Sequence, residues 1–493
     1  MQPSKNSYSE ILKATTLFSS VQFLTIVFSI IRTKVAALFI GSVGIGILGI
    51  FNVTINLING ISKFGLDVSG VKEIAFAHQN SDSQSIENKI RLLKRLVWFT
   101  AILGALVTII LAKNLSNIAF GNQEYTFSFI WLALAVIFNQ LATLRLSILQ
   151  GKRKLKELAN ANVISSFLSV LIVVPIYYFY RLEGIVAAII LIHFSLLIPA
   201  YYYTRNLGIG NKKQSSLKET LREVKPMIIL GLSLSITSIL SMLAGYLIQI
   251  YITNEGGLSE VGYYNAGFVI MNSYVGLIFT AMSKDYFPRL SAVADKIERA
   301  QSLIGQQALI AVLFLAPIIV LFIVFSELVI TLLYTSEFMV IVGFVSAAIL
   351  GMLFKAISWS MGYLIIAKGD SKVFIKTSIF FNSLMLIMNV ISYKYYGLIG
   401  LGYSFFIYYF IHFVGIYLIV RLRYKVHLSK ELLRIFVIAF MLCGLTFVIN
   451  NFEVIPFKQI FNLFLIVVTL ALSVYQINAK VGLLSLFNKN RNE

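Results

Sequence analysis

One lysine stands inside a long apolar stretch: Lys355, in GFVSAAILGMLFKAISWSMGYLIIAKG. It is 13 residues from Lys368 at the end of that stretch, or ~20 Å of helix, farther than a lysine stem reaches. A charge so placed costs several kcal/mol and is a functional hypothesis by default. It either pairs with a helix end or a carbonyl in a structural role, or faces a polar cavity, and the cavity is the stronger reading. There it would offer an anion charge-assisted hydrogen bonds.

Further cations point the same way. Arg32 and Lys34, in SIIRTKVAALF, lie at the far end of the first apolar run. They either snorkel to headgroups or stand at the wall of a cavity that attracts anions. Gln22, Thr25 and Ser29 share a rough face with Arg32. In the next run Asn52, Asn56, Asn59, Lys63 and Asp67 fall within about 80° of arc on a continuous helix. Such a face is interhelical glue or a water-filled lining, and the charge on Lys63 favours lining. Asp67 either neutralises Lys63 or caps the end of the run. Asn265 and Asn272 make a thinner version.

His193 and His412 lie in mid-run and are candidates for proton coupling, although a lone buried histidine is more often satisfied locally. Asp285 and Arg289, in SKDYFPRLS, fall where a helix should stop at Pro288 and read as a cap or gate contact. Arg145 lies near the basic GKRKLK segment and should snorkel. The sequence has no HExxH, no phosphate-binding Gly-rich loop and no paired carboxylates within an apolar run, so neither ATP nor peptide hydrolysis is expected. No metal or other cofactor is expected, and the chain should not be an enzyme.

These residues must be positioned by a membrane-spanning scaffold. Of 493 residues 58% are hydrophobic and 13% charged, against about 25% charged in soluble domains. A water-soluble enzyme, a disordered chain and a nucleic-acid-binding domain are thereby excluded. A crossing needs about 20 apolar residues, and on that rule the chain holds about 14 helices. The apolar runs lie at 14–40, 43–70, 92–112, 125–149, 158–180 and 184–204. They resume at 226–253, 260–283, 303–325, 329–367, 373–393, 397–420, 432–450 and 457–477. Cys443 is the only cysteine, which leaves no disulfide framework and no thiolate metal site. The polar N-terminus lacks the pattern of a cleaved signal peptide.

The net charge of +20 needs no nucleic acid to explain it. About 34 of the 41 Lys and Arg fall in even-numbered connections and the tail, against about four on the other side, where NEGGLSE and Glu453 lie. This bias sets both termini in the cytoplasm. A weak internal repeat joins Val43–Gly49 to Val261–Gly267, 218 residues apart and in the same orientation. Parallel repeats of a helical bundle suggest a transporter with a pathway between its halves. The expected organisation is a cytoplasmic segment at 1–13, a six-helix bundle at 14–204 and a linker at 205–225. A second, pseudo-symmetric six-helix bundle follows at 226–420, then two accessory helices and a cytoplasmic tail at 421–493.

SKDYFPRLSAV, VGYYNAG, LLYTSEF and LFKAISWSMGYLIIAKG, with the opening SIIRTKVAALFIGSVGIGILG, resemble the O-antigen translocases. These are the polysaccharide-export branch of the multidrug/oligosaccharidyl-lipid/polysaccharide exporter superfamily. The likeness covers essentially the whole chain and rests on the order and spacing of the segments. It implies a flippase for undecaprenyl-pyrophosphate-linked oligosaccharide in the bacterial inner membrane, with two bundles of six helices in a V around a cationic central cavity. Arg32 and Lys355 match the family's basic cavity positions. Lys34, Asn52, Asn56, Asn59 and Lys63 join them as candidate substrate-binding residues from the polar stripes. Asp67, His193, Asp285 and Arg289 are candidates for coupling or gating. The implied partners are the lipid-linked oligosaccharide, membrane lipids, H+ or Na+, and polysaccharide polymerase and assembly proteins. The competing expectations are a drug/cation antiporter of the same superfamily and a membrane glycan polymerase or ligase. The first needs carboxylates in mid-run and the second a long outer loop, and the sequence has neither.

Overall fold

The computed structural model describes residues 5–79, 83–207, 217–451 and 456–481. Glu453, the stretch 208–216 and the tail after Val481 lie outside the described residues, as do the side chains of Gln22 and Lys284. The described residues form helices and turns with no strand. In order these are α1 (Lys5–Ser62), α2 (Leu66–Gln79), α3 (Ser83–Ile110), α4 (Ala112–Phe120), α5 (Thr126–Gly151), α6 (Leu155–Tyr180), α7 (Ile185–Thr204) and α8 (Leu217–Val269). There follow α9 (Leu277–Val293), α10 (Ile297–Val324), α11 (Ser326–Leu333), α12 (Val342–Ala367), α13 (Ser371–Tyr424), α14 (Lys430–Asn451) and α15 (Lys458–Val481).

Ten helical runs among the described residues are long and apolar enough to cross a membrane. Hydropathy alone separates more, because four runs of 39 to 54 residues each hold a break. In α1, α8 and α13 the break is one glycine with left-handed φ: Gly41 at 62°, Gly257 at 84° and Gly397 at 58°. Glycine adopts this conformation without a Cβ clash, so the chain folds back with no loop. Between α6 and α7 the break is Arg181, at φ 48°, followed by a short 3-10 turn to Gly184. The Arg181 guanidinium donates to the Phe39 carbonyl at 3.3 Å and lies 5.1 Å from the Phe39 ring centre.

The chain divides into two compact units, Met1–Gly262 and Tyr263–Glu493. In the first, α5 is central and packs against α1, α2, α3, α4, α6 and α7. Hydroxyls and amides knit its middle: Thr100 donates to Gln140 Oε1 at 2.9 Å, and Gln140 Nε2 donates to Ser62 at 2.7 Å. The start of α8 passes so close to the turn after α1 that glycine is required on both sides. A Cβ on Gly231 would meet the Gly65 and Phe64 carbonyls, and one on Gly65 would meet Gly231. Helix α2 continues no crossing. Its Leu66, Ile74 and Ala77 join Ile90, Leu93 and Ile148 in an apolar core.

In the second unit α12 is the central helix, packed against α9, α10, α11, α13 and α14. From Phe344 to Met361 every residue is buried except Lys355 and Trp359. Those two are four apart and share one face, the strip that the neighbouring helices leave open. The helix expected to stop at Pro288 runs through it to Val293. Proline removes one backbone hydrogen bond, but Tyr286 and Leu290, both fully buried on either side of it, hold the helix in place.

Candidate functional site

Each unit gathers a lysine, an asparagine and aromatic or imidazole rings. In the second unit Lys355 Nζ donates to Asn272 Oδ1 at 3.3 Å. It also lies 5.4 Å from the Phe279 ring centre and 5.2 Å from that of Tyr409, within the range of a cation–π contact. Asn272 sits in a single turn of π-helix, Ile270–Val275, between α8 and α9. Such wide turns swing side chains off the regular α spacing and recur at functional sites. Its Nδ2 is fixed by donating to the Phe268 carbonyl at 3.2 Å. Trp359, on the same strip as Lys355, stands 5.3 Å from Phe279 and 5.0 Å from Tyr363, ring centre to ring centre. The result is a cation at the head of an aromatic wall.

His412, on the second arm of α13, lies in the same neighbourhood. Its ring is 4.5 Å from Phe381 and 5.8 Å from Tyr408, the charge of Lys355 reaches it, and its buried Nδ1 has no partner among the described residues.

In the first unit Lys63 is in the turn just past α1. Its Nζ donates to Asn139 Oδ1 at 3.0 Å and to Thr143 Oγ1 at 3.2 Å, both on α5. The Asn139 amide reaches His193 Nδ1 of α7 at 3.3 Å. Arg32 and Lys63 both act electrostatically on that ring. Arg32 and Lys34 are half-buried and engage neighbours.

The polar line on α1 is shorter than a continuous helix would make it. The helix ends at Ser62, and Phe64 and Gly65 turn the chain at φ 50° and 66°. Asp67 therefore lies in the first turn of α2, where a carboxylate suits the helix dipole. It accepts from the Val68 amide at 3.0 Å. Burial varies along the rest: Asn52 is half-buried, Asn56 exposed and Asn59 buried. Neither end of the Asn59 amide has a partner among the described residues. Asp285 and Arg289 form an exposed ion pair with each other at 3.0 Å, along one helix face. The structure brings neither to Lys355. Arg145, expected to snorkel, donates to Thr204 at the end of α7 at 2.8 Å and lies 4.3 Å over the Tyr201 ring.

Asn139 and Thr143 escaped the sequence reading. Their signal was the same that exposed Lys63, a polar side chain in the middle of an apolar run, but neither is charged and each stood outside the stripes. Among the described residues both lysines hydrogen-bond to neutral groups, and each keeps donor capacity for an anion.

A family model described as polysaccharide biosynthesis protein matches residues 37–343, more than half of the chain. The chain belongs to the polysaccharide biosynthesis protein family. The chain is 23% identical over 337 residues to a putative O-antigen transporter of Shigella flexneri, covering 66% of this chain and 78% of the relative. It is 22% identical over 400 residues to the lipid III flippase of Escherichia coli strain K12, covering 79% and 94%. Its fold is that of a solved structure titled lipid II flippase MurJ, in an inward closed conformation. The TM-score is 0.74 at 13% identity, over 94% of this chain and 99% of the other. It is a multi-pass, all-helical membrane protein.

Proposed function

We propose that this protein is a flippase. It carries an undecaprenyl-pyrophosphate-linked oligosaccharide, an O-antigen or related surface repeat unit, from the cytoplasmic to the periplasmic leaflet of the bacterial inner membrane by alternating access. The observation that carries the reading is that Lys63 and Lys355, each within a helical bundle, make their hydrogen bonds to neutral groups and enter no ion pair among the described residues. A pyrophosphate headgroup is anionic and a glycan is polar, so both need a cationic, hydrated route. The lysines and Arg32 supply charge-assisted hydrogen bonds to phosphate oxygens, with Lys34 beside them. The amides of Asn52, Asn56 and Asn59 serve sugar hydroxyls, the wall of Phe279, Trp359 and Tyr409 offers faces for sugar rings, and the polyprenyl tail stays in lipid. The names of the relatives, a transporter and a flippase, support this substrate class and a carrier's role.

We read each of the four broken runs as two crossings, so that the ten apolar runs make fourteen. Six fall in 14–204 and six in 226–420, although the first arm of α8 packs with the first compact unit, which runs to Gly262, and α14 and α15 are accessory. The basic connections place both termini in the cytoplasm. His193, linked through Asn139 to Lys63, and Asp67, Asp285 and Arg289 are the candidates for coupling to H+ or Na+ and for gating.

The test is reconstitution into liposomes with a lipid-linked oligosaccharide, scoring its outward exposure for the wild type and Lys355→Ala. Transport by the wild type and none by an equally inserted variant is the expected result. A wild type that leaves the glycan in place but exchanges a small cation for protons would replace the flippase with an antiporter.

A further inference from the structure

A cavity of about 280 Å³ opens in the second unit, away from Lys355. It lies where α10 and α14 end and α11, α12 and α15 begin, which is the end of a crossing. Its polar lining includes Ser326, Glu327, Asn450 and Lys458. Lys458 is half-buried and spends one donor on the Asn450 carbonyl at 3.1 Å. The Asn450 side chain is locked in turn by a reciprocal amide pair with Asn462, at 3.0 and 3.1 Å. Two donors of the ammonium remain. Glu327 is exposed, and its carboxylate has no ion-pair partner among the described residues. One cavity therefore presents an ammonium and a carboxylate that do not neutralise each other.

The surroundings define the other half of the ligand. Phe325 and Leu328, 46% and 66% exposed, line the same cavity, and Phe457 and Phe461 flank Lys458 at 74% and 47%. At the end of a membrane crossing, side chains this apolar and this exposed meet acyl chains. The volume falls just below the usual range of ligand cavities, roughly 300–1,000 Å³, enough for a headgroup and too little for an oligosaccharide.

We infer that this cavity binds the headgroup of a zwitterionic phospholipid. Lys458 takes the phosphate, Glu327 takes the headgroup amine, and the acyl chains lie along Phe325, Leu328, Phe457 and Phe461. The cavity lining includes none of the candidate substrate-binding residues, and the site stands whether or not the carried substrate is a lipid-linked glycan. A bound lipid there would fix α14 and α15 to the bundle that α10 and α12 build.

The test uses the full chain, purified in detergent, stripped of lipid and offered phosphatidylethanolamine and phosphatidylglycerol in equal amounts. Native mass spectrometry counts the lipid retained. The wild type should prefer phosphatidylethanolamine by about tenfold, the worth of one charge-assisted contact. Lys458→Gln should lower bound lipid of both kinds about tenfold. Glu327→Gln should bind both alike, and Lys113→Gln, exposed in the other unit, should match the wild type. Equal retention of the two lipids by the wild type, or an undiminished signal in Lys458→Gln, overturns the proposal. So does displacement of the lipid by inorganic phosphate alone, which would make the site one for free anions. Should Lys458→Gln fail to fold, the exposed Glu327→Gln change decides: a persisting preference for the amine headgroup overturns the assignment.

Discussion

Replacing Lys355 with methionine should separate transport from stability. The ammonium is held by one long hydrogen bond, 3.3 Å to Asn272, and by two ring faces at 5.4 and 5.2 Å. A hydrogen bond to a charged group contributes about 1.5–3 kcal/mol at good geometry and less at this length, and each cation–π contact about 0.5–2 kcal/mol. The cost of taking the charge out of water is several kcal/mol, so gain and cost nearly cancel. Methionine fills a similar volume and exchanges the cation–π contacts for sulfur–aromatic ones of about 0.3–1.5 kcal/mol each. It leaves Asn272 Oδ1 without its donor, a loss of about 1–3 kcal/mol that the relief of desolvation offsets. Thermal unfolding of Lys355→Met in detergent should therefore differ from wild type by no more than about 1–2 kcal/mol. Transport of a lipid-linked oligosaccharide in liposomes should fall about tenfold or more, because a charge-assisted contact to the headgroup is worth about 1.5–3 kcal/mol and each 1.4 is about a factor of ten. The reverse pattern refutes the reasoning: a loss of about 3–5 kcal/mol of stability, with transport per folded molecule unchanged, would make Lys355 a structural strut.

Three further outcomes follow from the geometry. Asn139→Asp would set a carboxylate 3.0 Å from Lys63 and tie up its charge. Transport should drop about tenfold with the protein still folded, and an unaltered rate would show that Lys63 never meets substrate. Gly262→Ala would push a Cβ into the Ser42 carbonyl, whereas Gly245→Ala meets nothing within 4 Å. The first should lose about 1–3 kcal/mol in thermal unfolding and the second none, and equal behaviour would contradict the close backbone approach. The Asp370 carboxyl is held below its usual value of 3.8 by hydrogen bonds from Arg423, then Tyr424 and the Val373 amide. A depressed value means that this contact stabilises the fold above the usual carboxylate range and is lost as pH falls through the lowered value. The unfolding temperature of Asp370→Asn should accordingly fall less on acidification than that of wild type. Parallel acid profiles for the two proteins would remove Asp370 from that role.

Hydropathy made the helical membrane scaffold legible, because a crossing leaves an apolar run that no soluble element imitates. Lys355 was legible for the same reason: a charge far from either end of such a run has few explanations. Asn272 was visible, but its relation to Lys355 was not, since a π turn moves a side chain in a way that a constant 100° per residue cannot anticipate. The end of α1 was missed because Phe64 and Gly65 bend the chain through left-handed φ inside a run that hydropathy reads as one crossing. Helices α4 and α11 were hidden as well. Each is short and follows a long apolar helix after a single residue, Leu111 or Phe325, so composition marks no boundary. The partners of Arg145 were hidden because position along a helix says how far a side chain is from water, not that Thr204 and Tyr201 stand beside it on a neighbouring helix.

The single-residue folds at Gly41, Gly257 and Gly397 bear on how such a chain can change over generations. A loop absorbs an inserted or deleted residue, but a turn made by one φ/ψ pair has no length to spare. One extra residue would rotate the following helix by about 100° and carry its inward face toward lipid. Length variation within this architecture should therefore collect at the other connections, while these three turns stay constant in length even where the helices on either side diverge.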